Sequence, residues 1–293
     1  MEGKAQMLRR TFVANSLVAA ALSAASASDS KAASTSKPKS NDASNPAMTP
    51  QTNTSTAGKQ RLYYELRRYQ LVDGPQKKIC DAFFEKALIP AANKLGITPV
   101  GVFNLTVGPG TPAMYVLLPS ASLDALVNLE AHLGADAQYM STGTPFLSAP
   151  AVAPAYQRIE SQLMVAFEKI PGITLPAATA TNAARVFELR RYESPSDLDH
   201  KRKVEMMQSG EELIFNKAGF TQVFYGDTLI GGHLPNLTYM LSFESLATRD
   251  QHWSAFANSP DWKAMQANPR YAFENIVSNI TNLILTPAAY SQI

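Results

Sequence analysis

Cys80 is the only cysteine in 293 residues, so no disulfide can form within the chain. Within Ile79-Cys80-Asp81-Ala82-Phe83 it reads as a small, semi-buried hydrophobe. Histidine is scarce as well. His132, His200, His233 and His252 include no pair at the three- or four-residue spacing of a helical metal site, and His-Glu-x-x-His is missing. No metal and no cofactor are therefore expected; haem stays open as an alternative, with any of the four histidines able to serve as its axial ligand and none of them favoured. Gly-x-Ser-x-Gly, a phosphate-binding glycine loop and a dinucleotide fingerprint are all absent; Gly108-Pro109-Gly110 and Gly231-Gly232 read as turns. Charged residues make up 17% of the chain, below the ordinary value of about 25%.

The N-terminus lacks the roughly 20 strongly apolar residues of a membrane span. Residues 1–27 instead read as an export signal: Lys4, Arg9 and Arg10, then a mildly apolar run, then Ala25-Ser26-Ala27 as a cleavage site. Arg9-Arg10-Thr11-Phe12 resembles a twin-arginine signal, with Leu8 departing from its usual Ser or Thr; an ordinary secretory signal is the alternative. A periplasmic or extracellular bacterial location follows from either. Removing this segment leaves 23 basic and 23 acidic side chains. That balance argues against a nucleic-acid partner. Residues 28–58, rich in Ser, Thr and Ala, read as a disordered tether.

What the chain does have is a duplication. Tyr64-Glu65-Leu66-Arg67-Arg68-Tyr69 returns 123 positions later as Phe187-Glu188-Leu189-Arg190-Arg191-Tyr192. Both copies alternate at period 2 and read as strands. One face carries Tyr64, Leu66 and Arg68 or their counterparts Phe187, Leu189 and Arg191, and is expected to lie against helices. The other carries Glu65, Arg67 and Tyr69, or Glu188, Arg190 and Tyr192. Two copies of that polar face suggest two sheets looking at each other, with these six residues as the ligand-binding set. Glu188 is then a candidate proton carrier and Arg190 a candidate holder of negative charge. His233, after Gly231-Gly232 in a hairpin loop, is placed to overlook a barrel mouth.

Each copy opens a unit that reads strand, helix, strand, strand, helix, strand. The fold class is α+β: two tandem ferredoxin-like βαββαβ units, residues 59–170 and 185–293 around a linker at 171–184, forming an intrachain pseudo-dimeric α/β barrel. A short helix is expected near 154–160. In the second unit a helix over 197–217 draws its inward face through Val204, Met207, Leu213 and Phe215, and the last strand lies within 276–285. Trp253 and Trp262 fit helix-to-sheet packing.

These residues resemble the NIPSNAP family of dimeric α/β-barrel domains. The second unit carries the likeness most fully, in 187–192, in Arg249 to Trp253 with Phe256, in Ser259-Pro260-Asp261-Trp262 and in Leu283-Ile284-Leu285-Thr286-Pro287; the first has Ala137 where Trp262 corresponds. The resemblance implies the barrel fold and no settled catalytic residues. Small-molecule binding or protein interaction is the function expected. A cofactor-independent monooxygenase or isomerase on a hydrophobic substrate and a structural partner in the cell envelope are the alternatives. The partner implied is a hydrophobic small molecule or an envelope protein, and further oligomerisation stays open.

Overall fold

A computed structural model describes residues 60–72 and 74–293. The predicted signal at 1–27 and tether at 28–58 lie outside the described residues. The two copies of the repeated hexapeptide form strands β1 (Tyr63–Gln70) and β5 (Val186–Glu193). Each half then runs through helices, two strands, further helices and a closing strand. The first half contributes β2 (Gly101–Val107), β3 (Ala113–Ser120) and β4 (Arg158–Ala166); the second contributes β6 (Thr221–Ile230), β7 (Asn236–Phe243) and β8 (Asn279–Pro287).

All eight strands close into one antiparallel barrel in the order β1-β3-β2-β8-β5-β7-β6-β4. Two seams join the halves: β2 to β8, with Phe103 opposite Pro287, and β4 to β6, with Met164 opposite Thr228. Closure leaves no strand edge unpaired. Because every neighbour is antiparallel, strands four places apart run the same way. Residues at equivalent points of β1 and β5 therefore meet at the same end of the lumen.

Helices cover most of the outside: all eight residues of β3 and of β7 are buried, while Arg158, Ile159, Glu160 and Ser161 at the start of β4 stay exposed. The lumen core draws on both halves, with Tyr64, Leu66, Phe103, Phe187, Leu189, Phe224 and Leu283. Tyr64 packs on Phe224 at 5.1 Å between ring centres, and Phe103 on Phe187 at 4.9 Å, filling the end where β1 and β5 begin. Outside the wall, Tyr69 packs with Phe83, Phe84 and Phe146 in the first half, and Tyr192 and Tyr239 pack with Phe215 and Phe256 in the second.

The long helices each contain a π turn. In the first half Gly74–Phe83 passes through Phe84–Leu88 into Ile89–Lys94, where the Ile89 amide donates to the Phe84 carbonyl five residues back. The widened turn lies just ahead of Pro90, which has no amide to offer the helix. In the second, Asp197–Met206 passes through Met207–Glu211 into Glu212–Lys217, with Gly210 at φ 134°. That extra residue rotates the following turns. Met207 and Phe215 face inward as expected, but Leu213 is 57% exposed and Ile214 takes the inward place. Two further expectations change. No helix forms at 154–160; Gln157 instead donates its amide to the Gln70 carbonyl at 2.8 Å, beginning the pairing that carries β4 along β1. Phe273–Ile276 is a helical turn, so the last strand starts at Asn279.

Candidate functional site

The structure reverses the expected roles of the two strand faces. Glu65, Arg67, Tyr69, Glu188, Arg190 and Tyr192 point away from the lumen, toward the helices, and do not face one another. Glu188 is fully buried. Its oxygens accept from Arg190 Nη1 at 2.8 Å, Arg249 Nη2 at 2.6 Å, Arg249 Nε at 3.0 Å and Trp253 Nε1 at 2.7 Å. Burial alone would raise its pKa, but Arg190, Arg249 and the Trp253 bond outweigh it and hold the carboxyl below its usual range. A carboxylate fixed by four donors is a structural anchor and a poor proton acceptor.

Arg190 completes this layer. Its Nη2 donates to the Tyr192 hydroxyl at 2.8 Å, the Tyr239 hydroxyl donates on to Tyr192 at 3.2 Å, and the guanidinium lies 4.4 Å from the centre of the Trp253 ring. The first half repeats the device more loosely. Arg67 grips Glu65 with two bonds of 2.8 Å, and its Nη1 reaches Glu130 on the helix Leu129–Gly134 at 2.7 Å. Burial pushes the Tyr69 hydroxyl up to about 12, against the opposing pull of Arg67.

The other face lines the barrel. A cavity of about 360 Å³ opens at the end where β1 and β5 finish. Leu66, Leu189 and Leu283 make its apolar part; Arg68, Arg191, Tyr115, Glu160, Gln162, Thr238 and Thr281 make its polar part. Arg68 and Arg191 are equivalent in the repeat, and parallel β1 and β5 bring both to this mouth. Arg68 Nη1 pairs with Glu160 Oε2 at 2.9 Å. Arg191 Nη2 donates to Thr281 Oγ1 at 3.3 Å. Tyr115, opposite Arg68 on β3, has its pKa raised by burial and by Glu160, while Arg68 and Arg191 act the other way. Its phenol is a neutral donor at neutral pH.

His233 borders this cavity, with Nδ1 3.4 Å from Glu193 Oε1. It is the one predicted site residue that the fold brings there. Arg68, Arg191 and Tyr115 went unrecognised, although an arginine at the end of an otherwise apolar stripe, repeated once, was a signal for them. Among the described residues no group of three or more His, Cys, Asp or Glu is placed to hold a metal ion, and no helix is long and apolar enough to cross a membrane.

Comparison with known proteins agrees with the duplication. The NIPSNAP family model matches residues 64–168 and again residues 187–292. Similar solved structures include a protein from Fusobacterium nucleatum provisionally described as a monooxygenase, 9% identical over 78% of this chain and 93% of that one, with a TM-score of 0.52. Another, from Lactobacillus acidophilus and described the same way, is 9% identical over 78% and 94%, with a TM-score of 0.50. A NIPSNAP-like domain protein from Burkholderia xenovorans is 19% identical over 36% of this chain and 88% of its own, with a TM-score of 0.33. At 9% identity the first two likenesses are of fold alone. No functionally curated protein matches the sequence. Both halves of the barrel fall within the matched segments, at the spacing of the internal repeat, and the chain belongs to the NIPSNAP family.

Proposed function

We propose that the barrel lumen is a binding site for a small apolar or aromatic molecule that carries one polar group. Each half is then a ferredoxin-like unit, the two making within one chain the barrel that single-unit relatives would make as dimers, and the twin-arginine-like leader delivers the protein to the periplasm or beyond. The observation that carries the reading is the 360 Å³ cavity with leucines on one side and two arginines at its mouth. Its volume falls in the range of about 300–1,000 Å³ that serves small ligands. Glu65, Arg67, Tyr69, Glu188, Arg190 and Tyr192 dock helices onto the wall in this reading. Proton transfer through Glu188 has no part in it, because four donors hold that carboxylate. His233 borders the ligand.

Mass spectrometry of small molecules released from the natively purified full chain tests this. The wild-type protein is expected to release a bound compound that is lost on filling the lumen with Leu189→Trp or Leu283→Trp. A compound retained by both folded variants would place binding elsewhere and refute the assignment.

A further inference from the structure

The two halves present unequal polar ends to the lumen. On β1, Arg68 lies opposite Tyr115 of β3 and Glu160 of β4. Its counterpart Arg191 on β5 lies opposite Thr238 of β7 and Thr281 of β8. At this cross-strand position the first half supplies a carboxylate and the second a neutral hydroxyl, while two residues along the strand Gln70 in the first half corresponds to Glu193 in the second. Arg68 is accordingly satisfied: it pairs with Glu160 at 2.9 Å, donates to Gln70 Oε1, and reaches the Gly110 carbonyl at 3.5 Å.

Arg191 is not. A guanidinium has five N–H donors, and Arg191 makes one hydrogen bond, to Thr281 at 3.3 Å. Its Nε is buried without a partner. The nearest carboxylate oxygen, Glu193 Oε1, is 3.4 Å from Arg191 Nη2; it already accepts from Asn279 at 3.0 Å and lies 3.4 Å from His233 Nδ1. A three-quarters-buried cation with so few partners is costly unless something else compensates it.

We infer that the lumen selects a monoanion: a compact molecule with an apolar or aromatic body and one carboxylate-, sulfonate- or enolate-type group, anchored by Arg191. The inference rests on the lumen being the ligand site. The anion's oxygens take up the free donors of Arg191, with Thr281 and the protonated Tyr115 phenol beside them, and the body lies against Leu66, Leu189 and Leu283. Glu160 holds Arg68 at 2.9 Å, whereas Arg191 has only the longer 3.4 Å pair with a Glu193 oxygen that Asn279 and His233 share, so the donors open to a ligand at the mouth are those of Arg191. A second anionic group on the ligand would meet Glu160 or Glu193. A neutral ligand would leave Arg191 with only Thr281 and the shared Glu193 oxygen as partners.

Fluorescence titration of the full chain with two dyes tests this. The first, 8-anilinonaphthalene-1-sulfonate, is an aromatic monoanion. The second, N-phenyl-1-naphthylamine, has the same rings without the sulfonate. Arg191→Gln is expected to weaken the sulfonate by about ten- to a hundredfold, the range for a hydrogen bond to a charged group, and to leave the neutral dye within about twofold. Glu160→Gln has the opposite sign: it frees Arg68 and tightens the sulfonate several-fold while Arg191 stays in place, and so decides the matter should Arg191→Gln not fold. Equal binding of both dyes with no response to either substitution would overturn the monoanion assignment while leaving lumen binding intact. Binding of both dyes that persists in Leu189→Trp would overturn the lumen reading itself.

Discussion

Replacing Glu188 by Gln keeps the side chain's size and removes its charge at the centre of the buried layer between the second half of the barrel and its helices. The fully buried carboxylate accepts four hydrogen bonds from Arg190, Arg249 and Trp253. An amide offers one acceptor oxygen, and its NH2 group would confront two guanidinium groups. Breaking a buried ion pair from one side costs about 3–5 kcal/mol. Because Gln retains volume and part of the bonding, the lower end is expected, about 3 kcal/mol. For a folded region of this size that lowers the melting temperature by about 6–12 °C. The equivalent Glu65→Gln should cost only about 1 kcal/mol, since Glu65 is partly exposed and Arg67 keeps its bond to Glu130. Denaturant unfolding of both variants measures the difference, and pH supplies a second axis. The Glu188 carboxyl is held below its ordinary value of 4.5 in the folded protein. Its contribution is therefore complete above that value and disappears as pH falls through the lowered one. The gap between wild type and Glu188→Gln should persist at pH 5 and close only in more acidic solution. Equal costs at residues 65 and 188, or a gap that closes between pH 7 and 5, would refute the argument that Glu188 is an ionised anchor.

Lys203 and Glu211 form a second buried pair at 2.8 Å across the π turn, each side chain 3% exposed. Lys203→Met alone should destabilise by about 3–5 kcal/mol, and adding Glu211→Leu should recover most of it, read as the shift in urea midpoint. Gly210 sits at φ 134°, where a side chain is strained, so Gly210→Ala should cost about 1–3 kcal/mol. Gly134, which ends a helix facing open space, should gain about 0.4–1 kcal/mol as Ala in the same assay. Burial, with Asp81 adding to it, pushes the Cys80 thiol up to about 12. A chromogenic disulfide reagent should therefore find no reactive thiol in the native protein at mildly alkaline pH and one after unfolding in guanidinium.

Much of the architecture was legible because it depends on patterns repeated within the chain. Two copies of one strand, each followed by the same succession of elements, required two like units. The closing of the two units on each other was implied by the need of each open sheet for a cover; which edges form the seams, β2 with β8 and β4 with β6, was not legible. The helix start at Asp197 was legible, and Ser196 closes its first turn by accepting from the Asp199 amide. The face of the helix after Ser196 was not fully legible, because one π turn at Gly210 shifts everything beyond it by a residue. Periodicity drawn for an uninterrupted helix puts Leu213 where Ile214 belongs.

The site was misread for a more general reason. Alternation locates a strand's buried face when the other face meets water, but in a helix-covered closed barrel both faces are buried, and hydrophobicity no longer says which is inside. What separates them is the reach of partners. A Glu or Arg on the outer face can be answered by long side chains from a helix, as Arg249 and Trp253 answer Glu188 and as Glu130 answers Arg67. Those partners come from 61 to 65 residues away in sequence, and nothing in the strand announces them. Inside the barrel no helix can answer, so a charge survives only near a mouth, beside water, a neighbouring strand or a ligand. The terminal arginine of each apolar stripe, Arg68 and Arg191, obeys that restriction, and its place at the end of the stripe rather than the middle marks the open end of the lumen. Of the two, Arg191, with Thr281 across the strand, a shared Glu193 oxygen at 3.4 Å and its Nε unpartnered, has the more unmet donors, and the repeated Glu-x-Arg of the outer face is turned away from the lumen toward the helices.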